Sequence, residues 1–133
     1  MQVIVFNLGN EKFALETKFI HGIEKVMDFT LVPLAPNYIL GLINLRGNII
    51  TVVDLKIYLN MEYIKKEENI IVVEINDEKV GFMVDSVVEV VEIAGDMIEK
   101  IKHAADISEQ IIGVIKFKEY IATLLNGDNL LKR

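Results

Sequence analysis

Short apolar blocks separated by polar pairs run through the chain, and the pairs are rich in turn formers. Val3–Leu8 ends at Gly9-Asn10, beyond which Phe13-Ala14-Leu15 resumes, and Ile70–Ile75 ends at Asn76-Asp77, beyond which Val80-Gly81-Phe82 resumes. Each is the pattern of a strand, a tight turn and a second strand. Glu89 and Glu92 alternate with valines, as in a strand with one wet face. Gly41–Leu55, reading GLINLRGNIITVVDL, is a further hairpin whose two arms are rich in Leu, Ile and Val, residues that fit a pleated, buried surface. Its turn is predicted at Gly47-Asn48, since glycine reaches the positive φ of two-residue hairpin turns and asparagine tolerates a left-handed position. Arg46 closes the first arm. Short helices are expected at Asp54–Asn60, around Asp96–His103 and after the Asn126-Gly127-Asp128 break, where Leu130 and Leu131 would pin the tail.

The pattern occurs twice. Val3–Val26 lies over Ile70–Ile93 without a gap, at an offset of 67 residues that carries Val3 onto Ile70 and Glu11-Lys12 onto Glu78-Lys79. The register continues as Ile20 with Val87, Ile23 with Val90 and Val26 with Ile93. The Gly41 hairpin has its own echo at an offset of 72, where Gly41, Ile43, Ile49 and Thr51 recur as Gly113, Ile115, Ile121 and Thr123. Two copies of roughly five strands predict a mainly β fold of two small barrels or curled sheets, with subdomains at 1–61 and 69–126 and a tail, 127–133, packing back. A barrel of about 60 residues buries only about 60% of its unfolded surface, so the two are expected to pack together. Glu62–Asn69 is the polar joint, and the junction is a natural place for an apolar groove.

Composition narrows the function. Ile and Val number 35 in 133 residues, against 2 prolines and 8 glycines, which favours strands over helices. A net charge of −6 and a pI near 4.9 argue against nucleic acid, whose phosphates are bound by clustered Lys and Arg. The absence of cysteine removes disulfides, thiolate catalysis and Cys-based zinc sites, and suits a reducing cytoplasm. Apolar runs are too short to span a bilayer. A soluble cytoplasmic protein is expected.

No catalytic or metal-binding constellation emerges, and no cofactor is called for. His21 lacks an HxH or HxxxH companion and His103 follows Lys100 and Lys102; both read as ordinary histidines. Asp54 and Asp85 each end an apolar strand, a position that suits a cap or turn contact. Arg46 differs in kind, because its stem can cover apolar surface while its guanidinium seeks a carboxylate.

The hairpin is similar to the signature of the CheW family of bacterial chemotaxis coupling proteins, in which a Gly-Val-x-Asn-Leu-Arg-Gly arm leads into a strand ending in Val-Val-Asp-Leu. Here those elements are Asn44-Leu45-Arg46-Gly47 and Val52-Val53-Asp54-Leu55, and Val80–Asp85 resembles the family's Val-Gly-Leu-x-Val-Asp strand. The resemblance extends from Val3 to Leu131. It implies two five-stranded SH3-like barrels, no enzymatic activity, and an adaptor that couples transmembrane chemoreceptors (methyl-accepting chemotaxis proteins) to the histidine kinase CheA, recruited from the cytoplasm to receptor arrays. The implied receptor groove between the barrels uses Ile4, Thr17, Ile20, Ile23, Arg46 and Val87, and takes a helical hairpin. Kinase contact is implied at the ends of the barrels, on a CheW-like domain of CheA.

Three residues depart from the family pattern. Gly22 stands where a glutamate is usual, Thr51 replaces a common proline, and Lys56 a common arginine. Glu24, two residues along the same strand face, is the candidate partner for Arg46. The alternatives are a CheW-like regulatory module of another two-component signalling protein, a small-barrel nucleic-acid binder, or an enzyme drawing its chemistry from Asp, Glu, Lys or His, which Asp54 and Asp85 variants would expose.

Overall fold

The computed structural model describes residues 1–62, 67–101 and 109–131. Its strands are β1 Gln2–Leu8, β2 Glu11–Glu16, β3 Ile20–Lys25, β4 Ile39–Leu45, β5 Asn48–Asp54, β6 Asn69–Ile75, β7 Glu78–Val84, β8 Ser86–Glu92, β9 Ile98–Lys100, β10 Ile111–Lys116 and β11 Ile121–Leu125. One α-helical turn, α1 Leu55–Tyr58, follows β5, capped by Asp54 as expected. Single 3-10 turns occupy Thr17–Phe19, Gly95–Met97 and Gly127–Asn129, the last standing where a C-terminal helix was expected. The helix expected around Asp96–His103 is corrected. Its first residues form a 3-10 turn and pass into β9, because Ile98 and Lys100 find ladder partners in Ile115 and Gly113. His103 lies outside the described residues.

The strands form two sheets, a first of six in the order β8-β1-β2-β11-β10-β9 and a second of five in the order β3-β6-β7-β5-β4. The repeat makes this order intelligible: β1, β2, β3, β4 and β5 correspond to β6, β7, β8, β10 and β11, so each sheet has the sequence three-one-two-five-four in repeat terms. The registers agree, since Phe13 pairs in parallel with Thr123 as Val80 does with Thr51. The expected boundaries 1–61 and 69–126 are not those of the sheets. Each repeat gives its first hairpin to the other: β1–β2 is built into the sheet of β8–β11, and β6–β7 into the sheet of β3–β5. The mainly β plan of two small, packed sheets is the one expected. Backbone pairing closes neither sheet among the described residues, and β9 is the sixth strand of the first, its counterpart in the second being a single bridge between Thr30 and Leu42.

The exchange explains why the first strand of each repeat is a continuous apolar run, the mark of a strand buried on both faces. In β1, Val3 and Val5 pack with Ala14, Ile93, Ile115 and Leu124 inside the first sheet's curl. Ile4, Phe6 and Leu8 point the other way, into a seam shared with Ile71, Val73 and Ile75 of β6 and with Phe82 and Val84 of β7. The remaining residues of β6, Ile70 and Val72, join Ile43, Ile50 and Met83 inside the second sheet's curl. Each such side chain contributes about 1.5–3 kcal/mol relative to exposure. Gly41 and Gly113 are equivalent, and the crossing chain demands both: a Cβ would run into the Thr30 carbonyl oxygen at Gly41 and into that of Glu99 at Gly113.

Candidate functional site

The edge strands β3 and β8 flank the seam, one from each sheet. Each carries a bulge at the equivalent point, between Ile20 and Gly22 in β3 and between Val87 and Glu89 in β8. A bulge inserts one residue and so inverts the facing of everything beyond it. Residues three apart would otherwise lie on opposite faces. With the bulge, Ile20 and Ile23 stand opposite Val73 and Ile71, while Val87 and Val90 stand opposite Phe6 and Ile4. All four opposing residues belong to the seam core. The two edges thus present Ile20, Ile23, Val87 and Val90 along an apolar seam, with Ile20 and Val87 half buried against it and Ile23 and Val90 exposed by 39% and 53%. The 3-10 turn Thr17–Phe19 touches both β1 and β6 beneath this edge.

The candidate residues separate by depth. Ile4 faces the seam but is 1% exposed, because β1 is flanked by β2 and β8; it forms the floor and cannot touch a partner directly. Thr17 is half buried and donates to the carbonyl of Gln2 at 3.3 Å or to its side-chain oxygen at 3.1 Å. Val90 was missed, although its position as the repeat mate of Ile23 was available in the sequence.

Arg46 lies across β3 from the apolar residues. The turn of its hairpin is Arg46-Gly47 rather than Gly47-Asn48: both have positive φ, 51° and 87°, as a type I′ turn requires, and Asn48 already pairs with Leu45. Asn44 Oδ1 accepts the Gly47 N–H at 3.0 Å. From this tip Arg46 Nη2 donates to Glu24 Oε1 at 2.9 Å, the arginine side chain 74% exposed and the glutamate 19%. Glu24 stands opposite Ile70, on the face of the second sheet turned away from the seam. Gly22 shares that face, and a Cβ there would meet nothing within 4 Å. The other repeat has a comparable contact: Tyr120, at the start of the β11 arm, donates its hydroxyl to Glu89 at 2.5 Å. Burial, with the Glu89 carboxylate beside it, pushes the Tyr120 phenol up to about 12.

The carboxylates weighed for chemistry have structural roles. Asp54 Oδ1 accepts the N–H groups of Lys56 at 3.0 Å and Ile57 at 3.3 Å, and burial, reinforced by Glu67, raises its pKa from the ordinary value. Asp85 accepts the Gly9 N–H at 2.5 Å through Oδ2, while Lys56 Nζ approaches Oδ1 at 2.6 Å. Oδ1 accepts no further hydrogen bond, so the ammonium compensates it. The ion pair joins α1 and the start of β8 to the tip of the exchanged β1–β2 hairpin, and sequence offered no signal that Lys56 is buried. His21, at the β3 bulge, lies 3.5 Å from Glu74 at the surface. Among the described residues no three His, Asp or Glu side chains gather as a metal site, and no helix is long and apolar enough to cross a membrane.

Comparison with known proteins places this geometry. The family model described as CheW-like domain matches residues 2–133. The chain is 31% identical to the chemotaxis protein CheW of Helicobacter pylori, over 100% of this chain and 82% of that one, and 30% identical to the chemotaxis protein CheW of Bacillus subtilis, over 99% and 87%. Its structure is similar to the crystal structure of the scaffolding protein TtCheW from Thermoanaerobacter tengcongensis, with a TM-score of 0.88, 32% identity, and coverage of 99% of this chain and 92% of that one. With a match along almost its whole length and the same two-sheet plan, the chain belongs to the CheW family of chemotaxis scaffold proteins.

Proposed function

We propose that this protein is a non-enzymatic chemotaxis adaptor that binds the cytoplasmic tip of chemoreceptors and the histidine kinase CheA together, and is drawn from the cytoplasm to their arrays. The observation that carries the receptor half is the seam between β3 and β8. Two bulged edges bring four branched apolar side chains, Ile20, Ile23, Val87 and Val90, to one surface, the surface that an amphipathic helix needs. Ile4 supports them from below, Thr17 shapes the approach, and Arg46 with Glu24 forms a charged rim on the far side of β3.

The kinase half is supported by the ends of the sheets, which display isolated large apolar residues at repeat-related places. Ile49 and Ile121, related by the 72-residue offset, are exposed at the starts of β5 and β11. Leu34 is fully exposed at a φ of 65°, a strained conformation for a bulky residue of the kind that collects at functional surfaces.

The test is co-sedimentation of the pure protein with a receptor signalling-tip fragment and with CheA, separately and together. Binding of both, with simultaneous occupancy, is expected; failure to bind either at micromolar concentration removes the adaptor function. Val90→Glu should reduce receptor binding and spare the kinase, whereas Ile49→Glu should do the reverse.

A further inference from the structure

Each lip of the groove begins against a short turn that follows a strand of the other sheet. The repeat offset of 72 residues carries α1 onto the tail turn, so that Asp54 falls on Asn126, Leu55 on Gly127 and Tyr58 on Leu130. The caps agree, since Asp54 Oδ1 accepts the Lys56 N–H at 3.0 Å and Asn126 Oδ1 accepts the Asp128 N–H at 3.2 Å. At one joint α1, which follows β5, meets the residue before β8: Lys56 Nζ lies 2.6 Å from Asp85 Oδ1. At the other the tail turn, which follows β11, meets the residue before β3. Gly127 is buried, and a Cβ there would run into Cγ, Cδ2 and Cε2 of Phe19. The aromatic ring thus occupies the space that any side chain at Gly127 would need. One lip is joined by a buried ion pair and the other by a ring seated on a glycine.

We infer that Phe19 is a positioning residue for the groove, and that the C-terminal turn at Gly127 is the seat that sets the β3 lip relative to the β8 lip. This deepens the proposed function and rests on the receptor groove lying at β3 and β8. Three observations carry it. Phe19 ends the 3-10 turn whose Thr17 carbonyl accepts the Ile20 N–H, so a displacement of the ring reaches the first apolar side chain of the lip within one residue. The seat is itself held: Leu130 is wholly buried in the seam core, and its carbonyl accepts the Tyr58 hydroxyl at 2.6 Å and the Gln110 side-chain amide at 3.3 Å. The turn therefore has no room to retreat from the ring, and a close-packed interior transmits strain. Finally, Gly127 does not adopt the left-handed backbone that would call for glycine; the ring is what excludes a larger residue.

The experiment measures binding of a chemoreceptor signalling-tip fragment and, separately, of CheA to the full chain and to Phe19→Ala, Phe19→Leu, Gly127→Ala, Phe19→Leu/Gly127→Ala and Val90→Glu, well below each melting temperature. Gly127→Ala displaces the ring and should weaken receptor binding about three- to tenfold, the scale of a coupling carried through packed side chains, while CheA affinity stays within about twofold. Phe19→Ala removes the ring and should do the same. Phe19→Leu/Gly127→Ala should bind the receptor fragment within about twofold of Phe19→Leu, since the smaller side chain leaves room for the methyl. Equal losses toward receptor and CheA in Gly127→Ala and Phe19→Ala reduce the joint to general stability and overturn the positioning role. Wild-type receptor affinity in Phe19→Ala also overturns it, and decides the matter should Gly127→Ala fail to fold. A Gly127→Ala loss that Phe19→Leu does not relieve overturns the ring as the link. Loss of receptor binding in Val90→Glu with none in the joint variants overturns this inference and leaves the groove standing; unchanged binding in Val90→Glu removes the groove itself, and the inference with it.

Discussion

Removing Asp85 should destabilise the protein more than removing any surface carboxylate. The Lys56 side chain is wholly buried and that of Asp85 is 5% exposed, with Nζ and Oδ1 2.6 Å apart. Asp85→Leu leaves the Lys56 ammonium buried without this carboxylate, and loss of one partner of a buried pair costs about 3–5 kcal/mol. Native domains are stable by only about 5–15 kcal/mol, and each kcal/mol is worth about 4 °C for a chain of this length. A fall of about 12–20 °C in melting temperature is expected, and a similar fall for Lys56→Met. The double variant separates the charge pair from the rest. With both charges gone the desolvation penalty of the pair disappears, and the remaining losses include the Gly9 N–H, which then lacks the acceptor it has in Asp85 Oδ2, about 1–3 kcal/mol. The double variant should therefore be more stable than either single one. Urea denaturation of all four proteins gives the coupling energy directly. Additive losses in the double variant, or a single-variant loss below about 1 kcal/mol, would refute the assignment of this pair as the tie between α1, β8 and the exchanged hairpin.

Other predictions follow from the glycines, the groove and the α1 cap. Gly41→Ala and Gly113→Ala should each cost about 2 kcal/mol or more, since a carbonyl oxygen occupies the space of the new methyl, whereas Gly22→Ala should stay within about 0.5 kcal/mol; denaturation midpoints compare them. Val90→Glu should weaken receptor-fragment binding about tenfold or more while keeping the melting temperature, and Ile4→Ala should lower stability by about 2–5 kcal/mol; equal melting temperatures for the two would contradict the division into lip and floor. Burial raises the Asp54 pKa above 3.8, so the native state holds that proton more tightly than the unfolded chain, and the group's contribution is greatest in acid and declines as pH rises from 3.8 through the folded value. Asp54→Asn keeps a capping oxygen and does not titrate, so its stability relative to the wild type should grow across that window and then level; a pH-independent difference in urea midpoints would contradict the shift.

The strands and their duplication were legible because hairpins are local: Gly9-Asn10 and Asn76-Asp77 turn where two-residue turns are needed, and the apolar blocks match β1, β2, β6 and β7. The exchange of those hairpins was not, since an offset of 67 residues relates the copies without saying which copy's strands each hairpin pairs with. The same limit misplaced the turn at Gly47-Asn48, where ladder register decided in favour of Arg46-Gly47. Ile20 and Ile23 could be named, but their sharing of a face depends on a bulge that spacing alone does not reveal. Lys56 was invisible in kind, as a lysine after a helix cap is ordinarily solvated. Glu24 was readable as a second carboxylate on the Gly22 face, because strand periodicity is a local property.

The reciprocal hairpins also have a consequence for synthesis. β1 and β2 are synthesised well before their lateral neighbours β8 and β11, and β2 finds its place in the first sheet only when Thr123 and Leu124 arrive to meet Phe13 and Ala14. Contacts this distant in sequence form late and slowly. Until then the earliest hairpin has an open apolar edge, the feature most prone to pairing with another chain. A nascent chain that stops before Ile121 keeps that edge open, so it is β11 that seals the β1–β2 hairpin.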